Sequence, residues 1–383
     1  MKHTPFLLAC ALFCGVALLA CNQTKTADDT AYLFSYFTDQ NSGLRLAYSY
    51  DGLTWTALEK PDGTSFLTPV IGNDRLMRDP SICQGPDGTF HMVWTSSWWD
   101  RIIGYASSPD LIHWSEQQAI PVMMHEPDAR NSWAPELFYD EPSGLFYIFW
   151  ATTIPGRHSE VAESEREKGL NHRIYYTTTH DFHQFSPTRL FFDQSFSAID
   201  AAIVRSPIDG SLIMTIKNEN PNPPEKNIRI SRFRPTPNPS REGGEEDPSK
   251  SPREGRLVSA ESPRSPLPSI TGGVGGGSSL PLTGERGEGL SGGGSSWSPV
   301  SAPIHGKFWA EGPAPLFVHD TLYVYYDCYM NHRYGVSRST DNGYTWQSVD
   351  SLATFPRDIR HGTAFPVSKA ILNTLLEKTN NKQ

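Results

Sequence analysis

The sequence predicts an all-β, five-bladed β-propeller whose ring is closed by strands from both chain ends, and three observations point there. Short runs rich in Val, Ile, Phe, Tyr and Trp alternate with Gly, Pro, Asp and Asn turns along most of the chain. Four segments repeat one internal grammar, and a fifth start near the C-terminus lacks the hairpin that should follow it. Two unassigned strand runs near the N-terminus supply what the fifth unit lacks, and a blade built from both ends locks a propeller shut.

The first residues read as a processing signal. Met1, Lys2 and His3 give a short basic start, and residues 6–20 are apolar but too few to span a bilayer well. The run ends in Leu18-Leu19-Ala20-Cys21, which resembles the bacterial lipobox. That resemblance implies a signal peptide over 1–20, acylation of Cys21, and export with anchoring to a bacterial outer membrane, on its periplasmic or surface face. Polar residues 21–30 then serve as a tether. With Cys10 and Cys14 removed, Cys83 and Cys328 remain in apolar runs, where a buried free thiol is the usual outcome. No Cys/His spacing suggests zinc.

The propeller is expected over residues 31–368. Strand runs fall at 32–37, 45–50, 90–95, 145–150, 173–178, 212–216 and 321–326. The repeated starts are Arg78-Asp79-Pro80-Ser81-Ile82, Trp133-Ala134-Pro135-Glu136-Leu137, Ala198-Ile199-Asp200-Ala201-Ala202 and Ala310-Glu311-Gly312-Pro313. Each precedes a tight turn and an apolar strand. The fifth start is Arg360-His361-Gly362-Thr363-Ala364-Phe365. Helical patterning is confined to 159–169 and to 369–378, the latter opening a C-terminal helix and tail over 369–383.

A second echo marks the outer strands. Ser49-Tyr50-Asp51, Ser108-Pro109-Asp110, Thr179-His180-Asp181 and Ser339-Thr340-Asp341 each lead to an aromatic residue a few positions on. An Asp that bonds its own backbone suits a turn, and the aromatic can fold under the blade, so these acids read as structural. Residues 235–296 break the pattern: Pro, Ser, Gly, Arg and Glu dominate, and no core can form from them. They read as a low-complexity insert at an outer hairpin of the third blade, where added length is tolerated.

The length of 383 residues could hold two or three domains, but a propeller takes it as one. A formal net charge of −9 provides no basic field for a nucleic acid, and a monomer bound to the membrane through its lipid alone is expected.

In a propeller the innermost strands begin at a central channel. Here those starts hold Asp79, Glu136, Asp200, Glu311 and His361. Any one of them could be a turn former, a strand-edge residue or an ion-pair partner. Five ionisable groups aimed at one channel are costly for a plain core. Converging acids push their pKa values apart, as separate acid and base roles require.

These motifs resemble those of family 43 glycoside hydrolases: Asp79 in Arg-Asp-Pro, Asp200 in Ile-Asp-Ala, Glu311 in Glu-Gly-Pro, with Trp133-Ala134-Pro135-Glu136 and Arg360-His361-Gly362. The similarity runs over about 30–235 and 297–368. It implies inverting hydrolysis that releases a terminal sugar, foremost α-L-arabinofuranose, from oligo- or polysaccharide side chains, with β-xylose and β-galactose behind. Asp79 would be the general base, Glu311 the general acid and Asp200 the group that tunes and orients that acid. Inversion needs base and acid about 6.5–9.5 Å apart to admit a water. Trp133, Glu136, Trp309, Arg360 and His361 would contact substrate. No cofactor is required; the resemblance allows a structural calcium ion in the channel, seated through water beside His361. Two rivals share the shape. One is a sialidase-like propeller, which needs six blades and three arginines, for which Arg78, Arg205 and Arg360 could be argued. The other is a catalytically silent glycan-binding lipoprotein.

Overall fold

The computed structural model describes residues 29–159, 169–220, 225–233 and 297–379. The expected signal peptide, Cys21, nearly all of the tether, the body of the helix expected over 159–169, the insert 235–296 and the last residues of the tail lie outside the described residues.

Five antiparallel sheets stand around one axis. Blade 1 is β4 (Arg78–Gln84), β5 (Phe90–Thr95), β6 (Ile103–Ser108) and β7 (Gln118–Ile120). Blade 2 is β8 (Trp133–Asp140), β9 (Leu145–Thr153), β10 (His172–Thr179) and β11 (Arg189–Phe192). Blade 3 is β12 (Ala198–Arg205), β13 (Leu212–Asn218) and β14 (Asn227–Phe233). Blade 4 is β15 (Glu311–Val318), β16 (Thr321–Cys328), β17 (Arg333–Ser339) and β18 (Gln347–Ser348). Blade 5 joins the chain ends: β19 (Ala364–Ser368) is its inner strand, followed outward by β1 (Thr30–Tyr36), β2 (Arg45–Ser49) and β3 (Thr56–Leu58). Thr30 pairs with Ser368 and Phe34 with Ala364, so the ring closes as the repeat predicts.

Most strand positions are buried on both faces, which explains the near-continuous apolar runs. Aromatic side chains fill the wedges between blades. Phe34 and Trp55 of blade 5 meet Tyr325 of blade 4 edge-on, at centroid distances of 5.7 and 5.5 Å. His91 and Tyr105 of blade 1 stack on Phe182 of blade 2 at 4.2 and 4.5 Å. The one described α-helix, α1 (Lys369–Lys378), is capped by Ser368, whose Oγ accepts the Ile371 N–H. It buries Leu372, Leu375 and Leu376 beneath blade 5.

The outer-strand acids are turn formers. Asp51 Oδ1 accepts the N–H groups of Leu53 and Thr54 at 2.8 and 2.7 Å, and Trp55 Nε1 donates back to Gly52 O. Asp110, Asp181 and Asp341 repeat the pattern between the third and fourth strands of their blades. In blade 3 the same place holds a different junction. Phe233 bridges directly to Trp297, and residues 298–304 run on beside β14, with Ser298 N–H donating to Arg232 O and Ser301 N–H to Ile230 O. The chain on the two sides of 234–296 therefore meets at one pair of neighbouring residues.

Candidate active site

Four of the inner strands are entered through the same irregularity. Arg78 faces Thr95 while Ser81 faces Val93, so β4 carries one residue more than its partner. The same extra residue occurs between Trp133 and Glu136, between Ile199 and Ala202, and between Glu311 and Ala314. At each bulge one residue takes a left-handed conformation: Asp79 (φ 54°), Ala134 (46°), Asp200 (56°) and Gly312 (60°). Prolines follow three of them, tolerated where the ladder is already interrupted. For a residue with a Cβ this conformation costs roughly 1–2 kcal/mol, and such strain gathers where function over-determines the backbone.

The bulges deliver acids from different heights of the strand. Asp79 and Asp200 occupy the bulge, Glu311 stands just before one, and Glu136 lies two residues past Ala134. His361 enters from the segment before β19, between blades 4 and 1. It fits only because Gly312 has no side chain: a Cβ there would lie 2.3 Å from the imidazole.

Asp79 is buried, with Oδ2 accepting from Thr95 Oγ1 at 2.8 Å and Oδ1 3.2 Å from His361 Nδ1. Burial acts to raise its pKa, but the facing imidazolium, the hydrogen bond from it, Arg78 and Thr95 outweigh that and bring it to about 2. His361 is correspondingly lifted to about 9: burial works against its charge, and Asp79, Asp200 and Glu136 prevail. Asp200 accepts the Gly312 N–H at 2.9 Å, so it holds the strand that carries Glu311. Burial raises its pKa to about 6, against His361 and Lys217 and with help from Glu311 and Asp79. Glu311 is the most open of the four acids, its side chain 21% exposed, with Oε2 3.2 Å from Lys217 Nζ and Oε1 3.2 Å from an Arg360 nitrogen.

Glu136 sits deeper. Its carboxylate accepts from Thr363 Oγ1 at 3.1 Å, and burial raises its pKa to about 7 despite His361, Ser81 and Thr363. It also lines a cavity of about 760 Å³ at the opposite mouth of the channel, walled by the far ends of the inner strands, such as Gln84, Phe317 and Pro366. Asp79, Asp200 and Glu311 are not among the residues that wall it. A smaller one of about 540 Å³ lies beside Asp327 and Arg360.

Of the expected aromatic contacts, Trp133 is part of a cluster, donating from Nε1 to Trp98 O at 2.6 Å and packing at 5.4 Å from Trp99. Trp309 is 37% exposed and Lys226 Nζ lies 5.7 Å from its ring centre. Arg78 spreads over Phe37 and Trp98, at 4.9 and 4.7 Å. Arg205, by contrast, ends β12 five residues beyond Asp200, roughly 16 Å along the strand, where it pairs with Asp140. The three arginines a sialidase-like site would need do not meet, and the ring has five blades.

Two buried charged side chains beside these residues were not foreseen from the sequence. Lys217 is 3% exposed and Asp327 is buried against Arg360 Nε. Both follow apolar runs whose expected strands stop at 216 and 326, whereas β13 and β16 continue to Asn218 and Cys328. The available signal was a charged residue directly continuing a wholly apolar strand.

Among the described residues no cluster of three or more His, Cys, Asp or Glu side chains is arranged to hold a metal ion. The residues around His361 fit a calcium ion poorly, since its Nδ1 faces Asp79 and its ring carries a proton up to about pH 9. Cys83 and Cys328 are free thiols, both lifted by burial to about 12.

A five-bladed propeller with carboxylates converging at one channel mouth is the class that fold and site define. A family model described as a probable glycosyl hydrolase domain, related to glycosyl hydrolase family 43, matches residues 28–232, and the chain belongs to that family. The matched stretch holds Asp79, Glu136 and Asp200; Glu311 and His361 lie beyond it. An α-L-arabinofuranosidase of Bifidobacterium longum is 24% identical over 225 residues, which cover 51% of this chain and 20% of that protein. The chain thus spans a fifth of that relative's length. Among solved structures, a xylan β-1,4-xylosidase from Bacillus halodurans superposes with a TM-score of 0.44 at 15% identity, covering 72% of this chain and 42% of that one. A sialidase designated Hadza microbial Hz136 gives 0.45 at 13% identity, covering 82% and 55%.

Proposed function

We propose that the chain is an inverting glycoside hydrolase in which Asp79 is the general base and Glu311 the general acid. The observation that carries this is the placement of the pair. Asp79 belongs to blade 1 and Glu311 to blade 4, on either side of closing blade 5; both stand where inner strands begin, and both lie near enough to Asp200 to raise its pKa. An inverting mechanism asks for an ionised carboxylate and a second one about 6.5–9.5 Å apart, with an anomeric carbon and a water between them.

Asp79, held ionised by His361, takes a proton from water as the oxygen attacks the anomeric carbon. Glu311 gives a proton to the departing glycosidic oxygen as that bond breaks. The cycle ends with Asp79 protonated and Glu311 ionised, and exchange with solvent resets both. Asp200 fixes the backbone beside Glu311 through the Gly312 N–H and adds a nearby group of raised pKa. In this reading Trp133 and Trp309 offer surfaces to sugar faces, and Glu136, Arg360 and His361 make further substrate contacts. The similarity to an arabinofuranosidase favours terminal α-L-arabinofuranose as the sugar released, ahead of β-xylose and β-galactose.

In this reading the protein is an exported monomer anchored through Cys21, and it needs no cofactor. Fatty-acid labelling lost in Cys21→Ser tests the anchor. The activity test is a panel of nitrophenyl α-L-arabinofuranoside, β-xyloside and β-galactoside, with and without chelator, and NMR of the first-formed anomer. Turnover with inversion, unchanged by chelator, is expected. Retention of configuration would remove the base assignment. Glycan binding without turnover would leave a silent binding lipoprotein.

A further inference from the structure

Lys217 stands in β13, whose seven residues Leu-Ile-Met-Thr-Ile-Lys-Asn are all buried. An ammonium group in such a strand is costly unless each of its hydrogens finds a partner. Here its Nζ lies 2.7 Å from Glu219 Oε2, 3.2 Å from Glu311 Oε2, and 5.2 Å from the ring centre of Tyr329. The two carboxylates hold it charged well above the ordinary lysine range although burial acts the other way.

Its place in the fold is shared with other residues. Lys217 is the β13 residue opposite the start of the blade 3 bulge; Thr95 and Asp327 hold the same place in blades 1 and 4. Each of the three hands a polar contact to the next blade. Thr95 Oγ1 accepts the Ala134 N–H of blade 2, Lys217 binds Glu311 of blade 4, and Asp327 binds Arg360, which leads into blade 5. The outcome is a ladder of alternating basic and acidic side chains, Lys226, Glu219, Lys217, Glu311, Arg360 and Asp327, in which every neighbouring pair is in contact. Glu311 is the rung with cations on both sides.

We propose that Lys217 is a positioning residue for this reaction: through its contact with Oε2, and backed by Glu219, it fixes the Glu311 carboxyl group in the orientation from which the proton is delivered. The inference rests on the assignment of Glu311 as general acid. An acid that swings free loses proton-transfer geometry, and misplacement by about 1 Å can cost on the order of a hundredfold in rate. Substrate affinity is little affected, because Lys217 is buried behind the acid.

The test is a double-mutant cycle read on two leaving groups. Turnover of a nitrophenyl glycoside and of the matching methyl glycoside is measured for wild type, Lys217→Met, Glu311→Gln and the double variant, using whichever sugar of the panel the wild-type chain hydrolyses. Lys217→Met is expected to lower kcat on the methyl glycoside by about 10–100-fold, and on the nitrophenyl glycoside far less, with KM within about threefold. In the Glu311→Gln background the same change should cost less than about twofold, because there is no acid left to position.

Glu219→Gln, which touches Lys217 but not Glu311, should follow the same pattern more weakly and serves where Lys217→Met does not fold. If Glu311→Gln shows the leaving-group dependence but the second substitution costs as much with it as without, Lys217 acts on stability alone and the inference is overturned. If Glu311→Gln loses both substrates equally, or the wild-type chain turns over none of the panel, the acid assignment falls and takes this inference with it.

Discussion

Asp79 and His361 neutralise one another inside the channel, with Oδ1 3.2 Å from Nδ1 and neither side chain more than 9% exposed. The pair joins the first inner strand to the last, so the ring's closure and the state of the proposed base depend on one contact.

Stability should fall as pH rises from about 7 to 9. His361 binds its proton more tightly folded (about 9) than unfolded (6.5), so its contribution is complete below 6.5 and lost as pH rises through 9. Below 7 two sets of groups oppose each other. Asp200, Asp327 and Glu136, raised to about 6, 6 and 7, hold protons in the fold that the unfolded chain releases above about 4. His91 and His172, lowered by burial to about 4, stay neutral in the fold where the unfolded chain would be protonated. Asp79, lowered to about 2, contributes stability above 3.8 that disappears only as pH falls through 2. The thermal midpoint should therefore be lower at pH 9 than at pH 7, and His361→Asn should flatten that step. A midpoint that climbs over that interval would contradict the pairing.

Asp79→Asn should abolish turnover without unfolding the chain. Asn is at ease at the positive φ of this position, and its amide can still accept from Thr95 Oγ1. A loss of about 10²–10⁴-fold in kcat, with the circular dichroism spectrum retained, is expected for a removed general base. Activity within a few-fold of wild type would refute the assignment.

Gly312→Ala should be severely destabilising. The new methyl carbon would stand 2.3 Å from the His361 ring and occupy a φ of 60°. Backbone strain and overpacking together should cost on the order of 2–4 kcal/mol. Urea denaturation measures it; a change below about 1 kcal/mol would mean that the imidazole can move aside freely.

Replacing 234–296 by a four-residue turn should leave fold and activity in place. Phe233 and Trp297 already pair, at the position where the other four blades close with a short Asp-centred turn. Each halving of an unconstrained connection returns only about 0.6 kcal/mol, so the melting point should stay the same or rise by a few degrees. Loss of folding on replacement would show that the segment contributes contacts of its own.

Much of this architecture was legible in the chain because its signals are local. Strand runs, turn residues and the repeated starts fix five blades, since each blade restates the same short-range chemistry. The leftover fifth start and the unclaimed N-terminal strands give the closing blade by elimination, and the pairing of Thr30 with Ser368 agrees. The Asp-centred turns were readable as turns for the same reason. Lys217 and Asp327 were not readable, because strands were expected to end at the first charge, and each finds its partner on a different segment of the chain, Glu311 for Lys217 and Arg360 for Asp327.

The sequence by itself determined which acids stand at the openings of the inner strands. Only the tertiary structure decided their surroundings: Asp79 is held ionised by a histidine 282 positions later in the chain, burial raises Glu136 to about 7, and Glu311 has cations from two other segments at 3.2 Å. Charge and pairing depend on distance and burial through space, which local patterning along a chain does not encode.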